Sequence, residues 1–374
     1  MKILWFTWKD KKNLRAGGAE LVNEEIAKRL VRDGHEVIFL VAGFPGAKGE
    51  EIIDGYKVIR VGEKFSVYWQ AYRYYNKHLG GWADLVIEEI NTMPFFTNLY
   101  IKDKPVVFLF YQLCREIWFH QMMFPGNVIG YVLEPLYLRF LAKRNILTLT
   151  ESESAKVDLA RYGFNKNKIK IFNVGIELEP VANLENIQKH KKPTLLSLGA
   201  IRKMKRTDHQ IRAFEIAKKK IPDLQLKVAG DSTGRYRDRV IRMMAMSPYA
   251  ADIEYLGRVS SDEKNELMRT SHLIMVTSVK EGWGIIVTEA NSQGTPAVAY
   301  DVDGLRDSVR HGETGLIAKD RSPEGLAEVI VDLLGDDEMY RKFQKNAWEW
   351  SQEITFENGY RKFVQALADQ GMTK

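Results

Sequence analysis

The sequence predicts an α/β protein built from two doubly wound, Rossmann-like domains in tandem, and three observations carry that expectation. The chain has 374 residues, too many for one ordinary core and suited to two domains of about 150–200 residues each. Short apolar runs of strand length alternate with helical patterns, in one series from residue 3 and in another from residue 194. Apolar residues make up 45% of the chain without low-complexity tracts, as in an ordinary globular protein. Doubly wound sheets bind ligands outside the carboxyl ends of their strands, so two in tandem predict a cleft between domains.

The first forty residues read strand, loop, helix, strand. Residues 3–8 are apolar and aromatic, and 9–18 are polar and basic and close on the pair Gly17-Gly18. From Ala19 onward, Leu21, Val22, Ile26, Leu30 and Val31 recur at helical spacing, and Gly34 is a natural stop. Residues 37–41 then read as a buried strand, which completes a βαβ opening and implies a parallel sheet. Further strands are expected at 57–61, 84–88, 105–111, 146–150 and 168–172. Residues 181–193 are polar and aperiodic, as an interdomain linker would be. The second series places strands at 194–198, 224–229, 253–256, 273–277 and 297–300, and helices near 207–220, 260–270 and 322–334. The tail, 338–367, reads as helix interrupted near 351–355. Its aromatic residues Trp348, Trp350, Phe356, Tyr360 and Phe363 are expected to pack it across the domains.

Composition narrows the function classes. The single cysteine, Cys114, excludes an internal disulfide framework and points to a reducing compartment. No signal peptide is visible, and no uncharged apolar run reaches the roughly 18–20 residues that cross a bilayer. A cytoplasmic protein is expected. The net charge of +6 fits nucleotide phosphates, anionic lipid or nucleic acid without choosing among them. No helix-turn-helix, zinc-finger spacing or RNA-binding signature is present, so nucleic acid is not an expected partner.

The stretch with most chemistry is Glu281-Gly-Trp-Gly-Ile-Ile-Val-Thr-Glu289. It follows a strand-like run and enters a helix at 285–293. Gly282 and Gly284 let the backbone pass close to a ligand, and the N–H groups of Gly284, Ile285 and Ile286 would face an anion at the helix start. Amides that can hold phosphate, with a carboxylate on either side to take hydroxyls, suit a sugar joined to a nucleotide diphosphate.

This run is similar to the E-x7-E signature of the retaining glycosyltransferases of family 4, which have the two-domain GT-B fold. Other stretches agree in order: Ala16-Gly-Gly-Ala-Glu20, Ser152-Glu-Ser-Ala-Lys-Val-Asp-Leu159, Asn173-Val-Gly-Ile176, Leu198-Gly-Ala-Ile-Arg-Lys-Met-Lys205, Gly294-Thr-Pro-Ala-Val298 and Gly312-Glu-Thr-Gly-Leu316. The resemblance implies an acceptor-side domain at 1–178 and a nucleotide-sugar domain at 179–354, with a last helix at about 355–374 returning to the first. It implies transfer of a hexose from a UDP- or GDP-linked donor to a hydroxyl of a glycan or lipid-linked acceptor. A nucleotide-sugar-binding protein with impaired catalysis is the alternative.

In that scheme Glu289 accepts from the ribose hydroxyls, and Glu281 lies near the sugar ring. Lys205 and Arg202 neutralise the leaving diphosphate. Gly282, Trp283, Gly284, Ile285 and Ile286 surround the donor, and Gly17 and Gly18 form a loop over the phosphates. The family's arginine directly after the glycine is replaced here by Ala200, which makes Lys205 the firmer of the two cations. Family members often carry a histidine at the end of the strand 105–111, where this chain has Tyr111-Gln112. Tyrosine can hydrogen-bond a sugar hydroxyl but cannot supply a proton at neutral pH as imidazole does. His120, the histidine nearest in sequence, is expected to be an ordinary exposed or core-edge residue.

Two patterns point elsewhere. Asp301-Val-Asp303 has a metal-binding form, but it follows a buried strand and precedes Gly304, so a turn is expected. No His/Cys cluster has metal-ligand spacing, and neither a metal nor a cofactor is expected. A nicotinamide enzyme is disfavoured because G-x-G-x-x-G is absent from the first turn. Residues 64–82 and 118–139 are rich in aromatic, methionine and basic side chains. That composition suits peripheral contact with a lipid headgroup layer at the inner membrane face, and plain helix packing explains it equally well.

Overall fold

The computed structural model describes residues 1–372. The chain forms two compact units, Met1–Gly175 with the segment from Phe356 onward, and Ile176–Thr355. Each unit is an α/β domain around one sheet, as expected.

The first unit holds β1 (Lys2–Phe6), β2 (Glu36–Val41), β3 (Glu50–Ile53), β4 (Tyr56–Arg60), β5 (Leu85–Glu89), β6 (Val106–Phe110), β7 (Thr148–Thr150) and β8 (Ile169–Ile171). Their order is β3-β4-β2-β1-β5-β6-β7-β8. All neighbours run parallel except β3 and β4. That hairpin was not anticipated, although its turn has a short-range signal: Asp54 and Gly55 both take positive φ, 47° and 90°, as a two-residue Asp-Gly hairpin turn requires. The central strands are buried on both faces, so Ile3, Leu4, Trp5 and Phe6 form an unbroken apolar run.

The last helix, Phe356–Ala368, belongs to this unit. Phe363 stacks on Trp5 at 6.0 Å, and the Tyr360 hydroxyl donates to Asp33 at 2.7 Å. Glu357 pairs with Arg29 at 3.2 Å and Arg32 at 3.3 Å. The close approach needs glycine at two points: a Cβ on Gly359 would lie 2.0 Å from the Asn173 carbonyl oxygen, and one on Gly175 would lie 2.1 Å from the Phe356 nitrogen.

The second unit holds β9 (Thr194–Leu198), β10 (Gln225–Ala229), β11 (Ile253–Gly257), β12 (Leu273–Val276), β13 (Ala297–Ala299) and β14 (Gly315–Ile317). Their order is β11-β10-β9-β12-β13-β14, parallel throughout. Chain order therefore reverses between β9 and β12, as it does between β1 and β5 in the first sheet. Two elements here escaped the sequence reading. β14 has only three residues, too few to show a period. The helix Arg235–Ala245 buries only Val240 and Met244 among its many arginines, an apolar stripe too narrow to register.

One expectation needs correction. The polar segment 181–193 is not a free linker but is tied down on the second unit. Lys189 Nζ donates to Ser271 O, Gly294 O and Thr295 Oγ1 at 2.7, 2.8 and 2.7 Å, and Val181 accepts from Trp348 Nε1 at 2.8 Å. The tail reaches both units, as expected: Trp348 and Trp350 belong to the second, and Phe356, Tyr360 and Phe363 to the first.

Candidate active site

In the second unit the loops after β9 and β12 leave neighbouring strands at their carboxyl ends, where chain order reverses. After β9, Gly199 (φ 132°) turns the chain into a loop that ends in the short 3₁₀ turn Lys203–Lys205. Backbone and side-chain bonds lace the two loops together. The Val279 N–H donates to Met204 O at 2.8 Å, and Thr277 Oγ1 donates to Lys205 O at 2.8 Å. This brings the Lys205 ammonium onto the Glu281 carboxylate, which also accepts from the Ser278 hydroxyl. Arg202 is exposed at the start of the same turn. Arg206 instead turns inward, with its guanidinium over the Tyr300 ring at 5.9 Å.

Beyond Glu281 the backbone winds tightly into the helix Ile285–Ser292. Gly284 caps it in the left-handed region (φ 93°), and a Cβ there would meet Leu305 Cδ2 at 2.8 Å and Ser308 Oγ at 3.0 Å, so only glycine fits. Val287 N–H donates to Gly284 O at 2.8 Å. The amides of Ile285 and Ile286 precede that bond and belong to the orphan donors of a helix start. The Trp283 ring does not face outward with them. It packs on Trp350 at a centroid distance of 6.0 Å, and its Nε1 donates to Thr288 Oγ1 at 2.9 Å. Its side chain therefore braces the loop, which corrects the expectation of a donor contact.

Glu289 lies in the second turn of this helix and is only 6% exposed. It is no solvated helix glutamate. Its carboxylate accepts from Lys264 Nζ at 2.7 Å. Burial pushes its protonation equilibrium upward, Lys264 opposes the shift, and Glu177 adds to it. Lys264 escaped the sequence reading because its partner is 25 residues away, a pairing that topology alone creates.

Asp303 accepts from Lys280 and Arg306 at 2.9 and 2.8 Å, and Asp301 also pairs with Arg306. Burial pushes the Asp303 carboxyl up, but the two cations outweigh it and hold it below the usual range. Both aspartates thus lie in a cation-paired turn. Among the described residues no group of three or more His, Cys, Asp or Glu side chains could hold a metal ion.

The remaining candidates lie in the first unit. Gly17 and Gly18 are exposed at the start of the helix Gly18–Arg32, and Gly17 N–H donates to Glu20 Oε2 at 2.6 Å. Tyr111 directly follows β6 and is buried. Its hydroxyl donates to Asn23 Oδ1 at 2.6 Å, and burial first, then Glu89, raises it well above its ordinary value. A side chain so engaged does not present its hydroxyl to a sugar, which corrects the role given it. The neighbouring Gln112 is half-buried, with an Oε1 that has no partner among the described residues. His120 is half-buried on the short helix Trp118–Gln121.

The network beneath Tyr111 was not foreseen. Glu89, at the end of β5, accepts from Thr7 Oγ1 at 2.5 Å and from Asn23 Nδ2 at 2.6 Å. Its other oxygen is buried without a partner among the described residues. Burial, and then the Glu20 charge, push this carboxyl up to about 7.

Comparison with known proteins places the family and the fold. The model of the Glycosyltransferase Family 4 domain matches residues 16–180, and that of Glycosyl transferases group 1 matches 182–350. An uncharacterized glycosyltransferase of Methanocaldococcus jannaschii is 31% identical over 150 residues, which cover 39% of this chain and 42% of that protein. The chain spans less than half the length of several curated relatives that it matches. Among solved structures, sucrose-phosphate synthase of Thermosynechococcus elongatus superposes with a TM-score of 0.79 at 17% identity, over 99% of both chains. HepE of Anabaena, solved in complex with UDP-glucose, gives 0.70 at 16% identity over 99% of this chain and 100% of that one. The two domain models follow one another along nearly the whole chain, and the protein belongs to the family 4 glycosyltransferases of GT-B fold.

Proposed function

We propose that the protein is a retaining hexosyltransferase that moves a sugar from a UDP- or GDP-linked donor to a hydroxyl of a glycan or lipid-linked acceptor. The observation that carries this reading is the meeting of Lys205, Glu281 and the glycine-capped helix start where the second sheet reverses its order. Fold likeness to HepE, which was solved with UDP-glucose, supports the donor class.

The chemistry follows from the groups present. The bond from the anomeric carbon to the diphosphate oxygen breaks, and Lys205, Arg202 and the amides near Gly284–Ile286 take the charge that develops there. Because Lys205 is already paired with Glu281, the incoming diphosphate replaces one anion by another and the ammonium stays held in place. Glu281 then faces the sugar ring and Glu289 the ribose hydroxyls. The acceptor oxygen bonds to the anomeric carbon on the face the diphosphate leaves, and its proton passes to the released phosphate oxygen. No pair of carboxylates of glycosidase type is required.

Incubation with UDP-, GDP- and ADP-glucose tests the reading. Release of nucleotide and an α-linked product, followed by NMR, are expected. A β-linked product would overturn retention, and failure to bind any of the three would overturn the donor assignment. A second reading, a binding protein with impaired catalysis, draws on the engaged hydroxyl of Tyr111. Binding of nucleotide sugar without turnover across a panel of acceptors would establish it.

A further inference from the structure

The helix Gly126–Ala142 of the first unit is apolar on its outward side as well as toward the core. Its fully buried charged residue is Glu134, 1% exposed, which accepts from the N–H groups of Cys114 and Arg115 at 2.7 Å each and from Trp118 Nε1 at 3.0 Å. Leu138 and Leu141 join the core, whereas six other apolar residues face outward. Val128, Val132, Leu136 and Phe140 form one exposed row at a spacing of four, and Ile129 and Leu133 form a second beside it. A stripe of this kind exposed to water is costly and marks an interaction site.

Part of this stripe lines a concavity. Ile129, Leu133 and Leu136 face Trp8, Phe65 and Phe96 across a cavity of about 430 Å³, within the size range of small-molecule sites. Tyr137 also lines it and closes its own polarity by donating to Thr92 O at 2.6 Å. Trp118 is locked against the helix because Gly130 leaves room for it, and a Cβ there would lie 2.4 Å from the indole. The cavity therefore rests on a fixed wall.

A second concavity, of about 770 Å³, shares Trp8 and Lys64 with the first. Its lining includes three cations, Lys9, Arg15 and Lys64, against one carboxylate, Glu63. Lys9 is paired with Glu20 at 3.0 Å, whereas Arg15 and Lys64 are exposed. Trp8 Nε1 donates to Lys64 O at 3.2 Å and holds the seam between the two spaces.

We infer that this pair of cavities binds a single amphiphile, with its hydrocarbon tail in the groove of Ile129, Leu133 and Leu136 and its anionic head beside Lys64 and Arg15. The inference deepens the proposed transfer and rests on it, since the amphiphile is then the acceptor. Charge complementarity and concavity select this occupant. An apolar slot that shares Trp8 and Lys64 with a cationic one matches a molecule with an apolar end and an anionic end. A bilayer surface would instead meet a helix face lying in its plane.

The test uses the full chain and dodecyl phosphate below its micellar concentration, followed by calorimetry. One-to-one binding is expected, at least about tenfold tighter than inorganic phosphate. Leu133→Glu, at a position 50% exposed, should weaken it by about tenfold or more, because a carboxylate then lines the tail groove. Lys64→Glu should weaken dodecyl phosphate as well. UDP-glucose affinity, measured in parallel, should be the same in both variants. Failure of the unmutated protein to bind any of UDP-, GDP- and ADP-glucose would sink the transfer reading alone, because amphiphile binding is read separately. Unchanged dodecyl phosphate affinity in Leu133→Glu would overturn the inference. So would binding only to phosphatidylglycerol vesicles, which would assign the face to a bilayer. A dimer abolished by Leu133→Glu, without amphiphile binding, would also overturn it and assign the face to a second copy.

Discussion

In the second sheet, the strands flanking the reversal of order hand their chains to loops that meet through Thr277, Val279 and Met204 and present Lys205, Glu281 and the start of the helix Ile285–Ser292. In the first sheet, the corresponding place between β1 and β5 is filled by side chains bonded to one another: Thr7 and Asn23 donate to one oxygen of Glu89, and Tyr111 donates to Asn23. The topology is shared and the outcome is opposite. A reversal of strand order provides a place for a ligand, but the residues there decide whether it is offered or closed. The second unit brings glycine and cations to its reversal, which is what a diphosphate needs. The first closes its reversal and turns apolar surface outward on the helix Gly126–Ala142.

The largest effect expected from breaking this contrast is on the second unit. Lys205→Ala should lower kcat by about 10²–10³-fold, the usual loss when one donor to a developing negative charge is removed. The melting temperature should hardly move, since the lysine is 33% exposed. A turnover within threefold of the native protein would show that Lys205 serves only to hold Glu281. Next comes Glu289. Glu289→Gln keeps the shape and removes the charge, and nucleotide affinity measured by calorimetry should fall about tenfold, as for loss of a hydrogen bond to a charged group. Glu289→Ala should lose at least as much affinity, and also stability, because the Lys264 ammonium is then left without its carboxylate. Unchanged affinity in the glutamine variant would remove Glu289 from the ribose.

The contrast also explains what the sequence could show. Strand runs, glycines and the pair Glu281 and Glu289 are local features, and a site made by two loops with short signatures is visible as such. Gly284 was legible as a glycine that lets the backbone pass close to a ligand at a helix start, whereas its left-handed φ of 93° is set by the fold. The contacts of Lys264, Asn23 and Glu89 were not legible, since each joins segments 25 to 88 residues apart through the packing of helices on sheets. The orientation of Trp283 and Tyr111 was misjudged for the same reason. A position in a motif fixes the backbone, while Thr288, Trp350 and Asn23 decide where the ring points. The aromatic stretches were visible, but their sidedness depends on Glu134, whose buried role is clear only once Cys114 and Arg115 are folded against it.

The smallest and sharpest test concerns the closed reversal. Glu89 in an unfolded chain ionises near pH 4.3, and in the fold burial and the Glu20 charge carry it to about 7. Between those values the folded protein keeps a proton that the unfolded chain has lost. Its contribution to stability is therefore complete below about pH 4 and is lost as pH rises through 7. At about 1.4 kcal/mol per pH unit the loss is on the order of 4 kcal/mol. Glu89→Gln stays neutral at every pH. Its amide oxygen can accept from Thr7 and Asn23, and its NH₂ occupies the place of the oxygen that has no partner. The melting temperature of the variant relative to the native protein should be near zero or slightly negative at pH 5 and rise by several degrees by pH 8, at roughly 2–4 °C per kcal/mol. Affinity for nucleotide, a property of the other unit, should be unchanged. A difference in melting temperature that stays constant from pH 5 to pH 8 would mean that Glu89 titrates as an ordinary carboxyl. The first reversal would then be open to water, and the contrast between the two sheets would fail at its structural root.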